Sequence, residues 1–270
     1  MVAIAELRAE ADALRDQLVA VRRDLHAHPE LGFQEVRTAG IVAQRLGELG
    51  YEVQTGVGRT GVVGLMEGAA ALEIVGSPST ASEPDPRQVL LVRFDMDALP
   101  IQESTDLPYS SVNPGVMHAC GHDAHTAIGL TVAELIAAHR ADWSGVLKLV
   151  FQPAEEIVAG AKAMIDDGVL ESPRPTRALS MHVDSMKPRG TVYMTDGPMM
   201  AAADSFTAVV RGRGAHGASP HQGADPVVAA CQIVTALQTI VSRNVAPWSK
   251  LWSRWGIYAA ARHRISFPKQ

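Results

Sequence analysis

Alternation is the feature that most constrains this chain. Apolar runs of strand length, at residues 51–57, 60–66, 89–96, 145–152 and 178–183, are interleaved with helix-length segments at 3–28, 38–49, 122–140 and 159–167. The first of these segments is amphipathic, with Ile4, Leu7, Ala11, Leu14, Leu18, Val21 and Leu25 recurring every three or four residues before Pro29 closes it. Strands alternating with helices predict an α/β fold with a mixed, largely parallel sheet flanked by helices. The Ser/Pro/Asp-rich stretch 76–88 reads as an exposed loop.

Near Pro188 the rhythm changes. Residues 190–195 and 205–211 read as strands, 211–217 is glycine-rich, and 225–245 reads as a helix whose Cys231 falls on an apolar, core-facing side. We therefore expect one domain over residues 1–187 and a partial α+β domain over 188–248.

Composition narrows the class. The chain has 270 residues, 47% hydrophobic and 20% charged, with no run of eighteen apolar residues, which speaks for a folded protein and against a membrane span. A net charge of −5 argues against a nucleic-acid partner. Two cysteines make no disulfide framework, and the acidic start of the chain does not read as a signal peptide, so a cytoplasmic location is expected.

The chemistry sits at the ends of the apolar runs. His118-Ala-Cys120-Gly-His122-Asp-Ala-His125 packs three histidines and a cysteine into eight residues before a helix, and Gly121 allows a tight turn that lets thiolate and imidazole face one ion. Glu155 and Glu156 follow the run ending at Gln152. Adjacent carboxylates there are either a solvated pair at a helix start or a divided site, one holding metal and the other facing water. Asp95 and Asp97 end the run before them, and His182 ends the run at 178–183. His182 alone reads more as a packed histidine than as a ligand, but one sheet edge can gather all four groups.

The segments RFDMDALPI, MHACGHDAH, FQPAEE, MHVD and GRGAHGASPHQGADPV, with DLHAHPELGFQE near the start, resemble the metal-dependent amidohydrolases of the hippurate hydrolase and indoleacetyl-amino-acid hydrolase group. These are relatives of the aminoacylases and zinc exopeptidases. The resemblance covers about residues 10 to 247. It implies a zinc-exopeptidase-like fold with a lid that serves dimerisation, and two divalent ions (zinc, manganese, cobalt or nickel). It implies Cys120, His122, Glu156 and His182 as metal ligands, Glu155 as general base, and Asp97 as a residue orienting a ligand imidazole. His216 would bind the substrate's carbonyl oxygen. His118 and His125 read as structural. The implied reaction is hydrolysis of an N-acyl or N-aroyl amino acid by a homodimer. The alternatives are a metal-binding fragment without activity and a dipeptide-cleaving zinc exopeptidase.

The resemblance ends abruptly. The final 45 residues carry +6 with no acid, leaving −11 for the rest, and five of the thirteen aromatics lie in the last 23 residues. Residues 249–270 read as an aberrant tail, in the style of a shifted reading frame. Family members are longer, and their last metal-binding histidine has no counterpart here, so the sequence predicts a weakened second metal and impaired turnover.

Overall fold

The computed structural model describes residues 3–70, 88–197, 199 and 206–244. The chain divides into two compact units, Met1–Lys187 and Pro188–Gln270.

In the first unit, helices α1 (Ile4–Ala13) and α2 (Arg15–Ala27) replace the single helix expected, with an interruption at Leu14. Helix α3 (Val36–Glu48) leads into strands β1 (Glu52–Val57) and β2 (Gly61–Glu67). Strand β3 (Val89–Asp95), helix α4 (His122–Ala138), strand β4 (Val146–Gln152), helix α5 (Gly160–Asp166) and strand β5 (Arg177–Ser180) complete it.

The sheet order is β1-β2-β4-β3-β5. It is mixed: β1, β2 and β4 pair antiparallel, whereas β4, β3 and β5 pair parallel. The three-residue link between β1 and β2 is too short for a crossover, so that pair must be a hairpin. Register aligns Asp95 of β3 with Gln152 of β4, and Arg93 with Ser180 of β5. The chain therefore leaves β3, β4 and β5 at one edge, where open α/β sheets carry their ligands.

One face of the sheet packs Phe94, Met96, Leu149 and Phe151 against Val42 and Leu46 of α3 and Leu130 and Ala133 of α4. The rings of Phe94 and Phe151 lie 5.4 Å apart. A Cβ on Gly129 would come within 2.7 Å of Phe94 and 2.8 Å of Phe151, so glycine there lets α4 settle directly on the rings. The other face buries Val63, Leu91 and Val150 with Met164 of α5. Strand β4 is buried along its whole length, Lys148 included, whose Nζ donates to the carbonyls of Val169 (2.7 Å) and Pro173 (3.0 Å).

In the second unit, Asp225 caps helix α6 (Pro226–Thr239), its Oδ1 accepting from the amides of Val227 (2.8 Å) and Val228 (3.3 Å). A π turn, Ile240–Asn244, continues the helix. The 19-residue stretch Pro226–Asn244 is long and apolar enough to cross a membrane by length and composition. Two expectations fail here. Cys231 is exposed and not in a core. Residues 190–195 and 206–211 form no strand, and Val192, Met194 and Val209 among them are exposed, without a second apolar layer among the described residues. Ser205, Val245 and the tail 249–270 lie outside the described residues, as does nearly all of the loop expected at 76–88.

Candidate metal centre

The four groups expected at the sheet edge arrive there by four routes. Met96 and Asp97 leave β3, Pro153 to Glu156 leave β4, and Met181 to Val183 leave β5. Cys120 and His122 come from the loop that starts α4. Gly121 caps that helix in the left-handed region (φ 91°), and a Cβ on it would lie 2.4 Å from Val183 Cγ2. Only glycine satisfies both the turn and the approach.

Cys120 Sγ lies 3.3 Å from His182 Nε2. His122 Nε2 stands 3.8 Å from Glu155 Oε2, 3.9 Å from Glu156 Oε1 and 3.7 Å from Asp95 Oδ2. The donor atoms of Cys120, His122 and His182 lie within 4.8 Å of one another, as do those of His122, Glu155 and Glu156.

Backbone contacts fix the tautomers. His122 Nδ1 is 2.9 Å from the Asp97 carbonyl, and His182 Nδ1 is 2.6 Å from the Val183 carbonyl. A carbonyl only accepts, so both Nδ1 atoms carry hydrogen and a neutral ring offers its Nε2 lone pair to the cluster. His122 Nε2 and Glu156 Oε1 are buried without a hydrogen-bond partner. Buried polar atoms are rarely left so, and a thiolate, two imidazoles and a carboxylate suit a divalent transition metal. The residues present fit such an ion.

The electrostatics favour a cation at Nε2 of His122, a proton or a metal ion. Burial would depress the pKa of His122, but contacts with Asp97 and Cys120 and the charge of Asp95 push it up to about 11. The surroundings favour positive charge at that ring. Glu156 is raised, chiefly by burial. The Glu155 side chain is 36% exposed against 18% for Glu156, so both carboxylates face His122 and Glu155 is the more open to solvent.

Asp97 contacts both an imidazole and the turn that carries the glutamates. Its Oδ1 is 3.3 Å from His122 Nδ1, and its two oxygens accept from the amides of Glu155 and Glu156, each at 3.0 Å. His125 is committed on both nitrogens, to Asp95 Oδ1 (2.5 Å) and to the amide of Val183 (2.9 Å). His118 is buried, and its pKa is lowered to about 4 chiefly by that burial. His216 belongs to the second unit, where its Nδ1 accepts from the amide of Ala218 at 3.2 Å.

Asp95 stood at its strand end in the sequence without an assigned role, and two further contributors, His26 and Glu35, escaped the sequence reading. Asp95 is buried between Arg93 (2.7 Å) and His125; burial would raise its pKa, but the hydrogen bond with His125 and the charges of His122 and Arg93 outweigh it and hold the carboxyl low. His26 joins Asp123 to Glu103. Glu35 is fully buried and accepts from Thr60 and the amide of Ala154. His26 and Glu35 both lie in DLHAHPELGFQE, and the density of histidine and acid in that stretch was the available signal.

Residues 91–253 match Peptidase family M20/M25/M40. The hippurate hydrolase of Campylobacter jejuni is 43% identical over 234 residues, covering 87% of this chain and 57% of that relative. The N-acyl-L-amino acid amidohydrolase of Geobacillus stearothermophilus is 40% identical over 247 residues, covering 91% of this chain and 62% of the relative. The crystal structure of a dinuclear metal binding peptidase from the M20 family of Bacillus subtilis aligns with a TM-score of 0.63 at 36% identity, over 84% of this chain and 57% of that one. The chain thus spans about three fifths of the length of the curated relatives it matches.

Proposed function

Since this chain belongs to peptidase family M20/M25/M40, we propose that it serves metal-dependent hydrolysis of the amide bond in N-acyl amino acids. Its relatives named hippurate hydrolase and N-acyl-L-amino acid amidohydrolase support that substrate class. Cys120, His122, Glu156 and His182 hold the divalent ions in this reading. The observation that carries it is the pair of buried, partnerless atoms His122 Nε2 and Glu156 Oε1, converging beside Cys120 and His182 while Glu155 stays open to solvent.

Divalent ions bound there supply Lewis acidity, lowering the pKa of water and polarising an amide carbonyl. Glu155 takes the proton of the attacking water as the new C–O bond forms. It returns that proton to the amide nitrogen as the C–N bond breaks, releasing a carboxylate and a free amino acid. Asp97 keeps Glu155 and Glu156 in place through their backbone amides. We assign His216 to the substrate's carbonyl oxygen, and assembly into a homodimer to the second unit.

The test is release of free amino acid from N-acetyl and N-benzoyl amino acids and from dipeptides, by purified protein supplied with manganese, zinc, cobalt or nickel. Hydrolysis of the acyl series supports the reading. Cleavage of dipeptides alone points to an exopeptidase, and no release from metal-loaded protein contradicts the proposal.

A further inference from the structure

The backbone that carries Glu155 and Glu156 is held in an unusual way. Ala154 adopts φ 49°, a left-handed conformation uncommon for a residue with a Cβ. Three successive amides, those of Ala154, Glu155 and Glu156, all end on carboxylates: the first on Glu35 Oε1 at 2.8 Å, the others on the two oxygens of Asp97 at 3.0 Å. Glu35 is fully buried. Its second oxygen accepts from Thr60 Oγ1 at 2.5 Å, so both oxygens are engaged.

The loop before α3 brings this carboxylate under the turn. The Ala98 amide donates to the Glu30 carbonyl (2.8 Å), Leu31 bridges Ala98, and a Cβ on Gly32 would sit 3.1 Å from Ala154 Cα. Glu30 also accepts from the amides of Arg37 (2.9 Å) and Thr38 (2.8 Å), fixing the same loop to the start of α3.

We infer that Glu35 is a positioning residue: by accepting the Ala154 amide it holds the left-handed turn that sets Glu155, the more exposed, and Glu156, the more buried, against the metal cluster. The inference rests on the metal-dependent reading above for its consequence, though not for its geometry. Without the Glu35 acceptor the Ala154 amide is buried without a partner, and the turn gains by leaving the left-handed region. Both glutamates then move with their backbone.

Glu35→Ala and Glu35→Gln test this on the full chain. In Glu35→Ala, exchange of the Ala154 amide, followed by NMR or by mass spectrometry of peptides spanning 152–158, should quicken at least about tenfold while amides of β4 keep their protection. Cobalt affinity should fall roughly 10- to 100-fold, the range for losing a group that orients a ligand. Glu35→Gln keeps an accepting oxygen and should restore exchange, affinity and the cobalt absorption spectrum. If Glu35→Ala fails to fold, Glu35→Leu fills the same space without an acceptor and is held to the same result. Native-like exchange and affinity in the folded variant, or a Gln variant as impaired as Ala, would overturn the inference. If native protein binds no cobalt, the metal-dependent reading fails, and the exchange measurement still decides the clamp.

Discussion

His26 Nδ1 lies 2.6 Å from Asp123 Oδ2, across 97 positions of sequence and directly beside His122. His26 Nε2 faces Glu103 Oε1 at 3.2 Å, and Arg22 Nε stands 2.8 Å from Asp123. Two carboxylates can both accept only from a doubly protonated ring. The contact therefore pins α2 to the first turn of α4, one residue after His122, as an ion pair.

That pair makes stability depend on pH. The hydrogen bond to Asp123 raises the pKa of His26 above 6.5, against the opposing effects of burial and Arg22. A group whose folded pKa is raised stabilises fully below its unfolded value and less as pH climbs through the folded one. Burial would raise Asp123, but His26, His118 and Arg22 hold it below 3.8, so its contribution is lost only in acid. Replacing His26 with Gln should cost about 2 kcal/mol near pH 6. Urea unfolding at pH 6 and pH 9 should show that deficit shrinking at the higher pH.

The thiol offers a spectroscopic handle. Native protein stripped with chelator and reloaded with cobalt should show a near-ultraviolet thiolate-to-cobalt band, and Cys120→Ser should lose it with at least about tenfold weaker binding. A band unchanged in the serine variant would remove Cys120 from the ligand set.

The core prediction concerns Phe151, fully buried against Phe94. Phe151→Ala removes a ring from between β4 and α4 and should destabilise the first unit by about 3–5 kcal/mol, read from denaturant midpoints. A loss below about 1 kcal/mol would mean that this interface repacks freely.

Most of the first unit was legible because its signals are local. The apolar runs at 89–96 and 145–152 match β3 and β4 to within a residue, since the central strands of a sheet covered on both faces are mostly apolar along their length. Periodicity likewise marks α3 to within two residues. Cys120, His122, Glu155, Glu156 and His182 stood out as ligand types at run ends, and the parallel register of β3, β4 and β5 brings those ends to one edge. The partners of Asp95, His26 and Glu35 were hidden because the pairings span 30 to 119 positions and depend on register and loop path. In the second unit, the apolar pattern at 190–195 predicts a strand that does not form, because a pattern makes a ladder only beside a neighbouring strand and a second apolar layer, and the described residues supply neither there.

The central claim assigns different tasks to two adjacent glutamates, and substitution of Glu155 separates them most directly. Native protein and Glu155→Gln, brought to equal bound metal by elemental analysis, are compared for release of glycine from N-benzoylglycine. The account predicts equal metal content with turnover lower by roughly 10²- to 10⁴-fold in the variant, as expected for a missing general base. A Gln variant that hydrolyses at the native rate with the same metal content would contradict it.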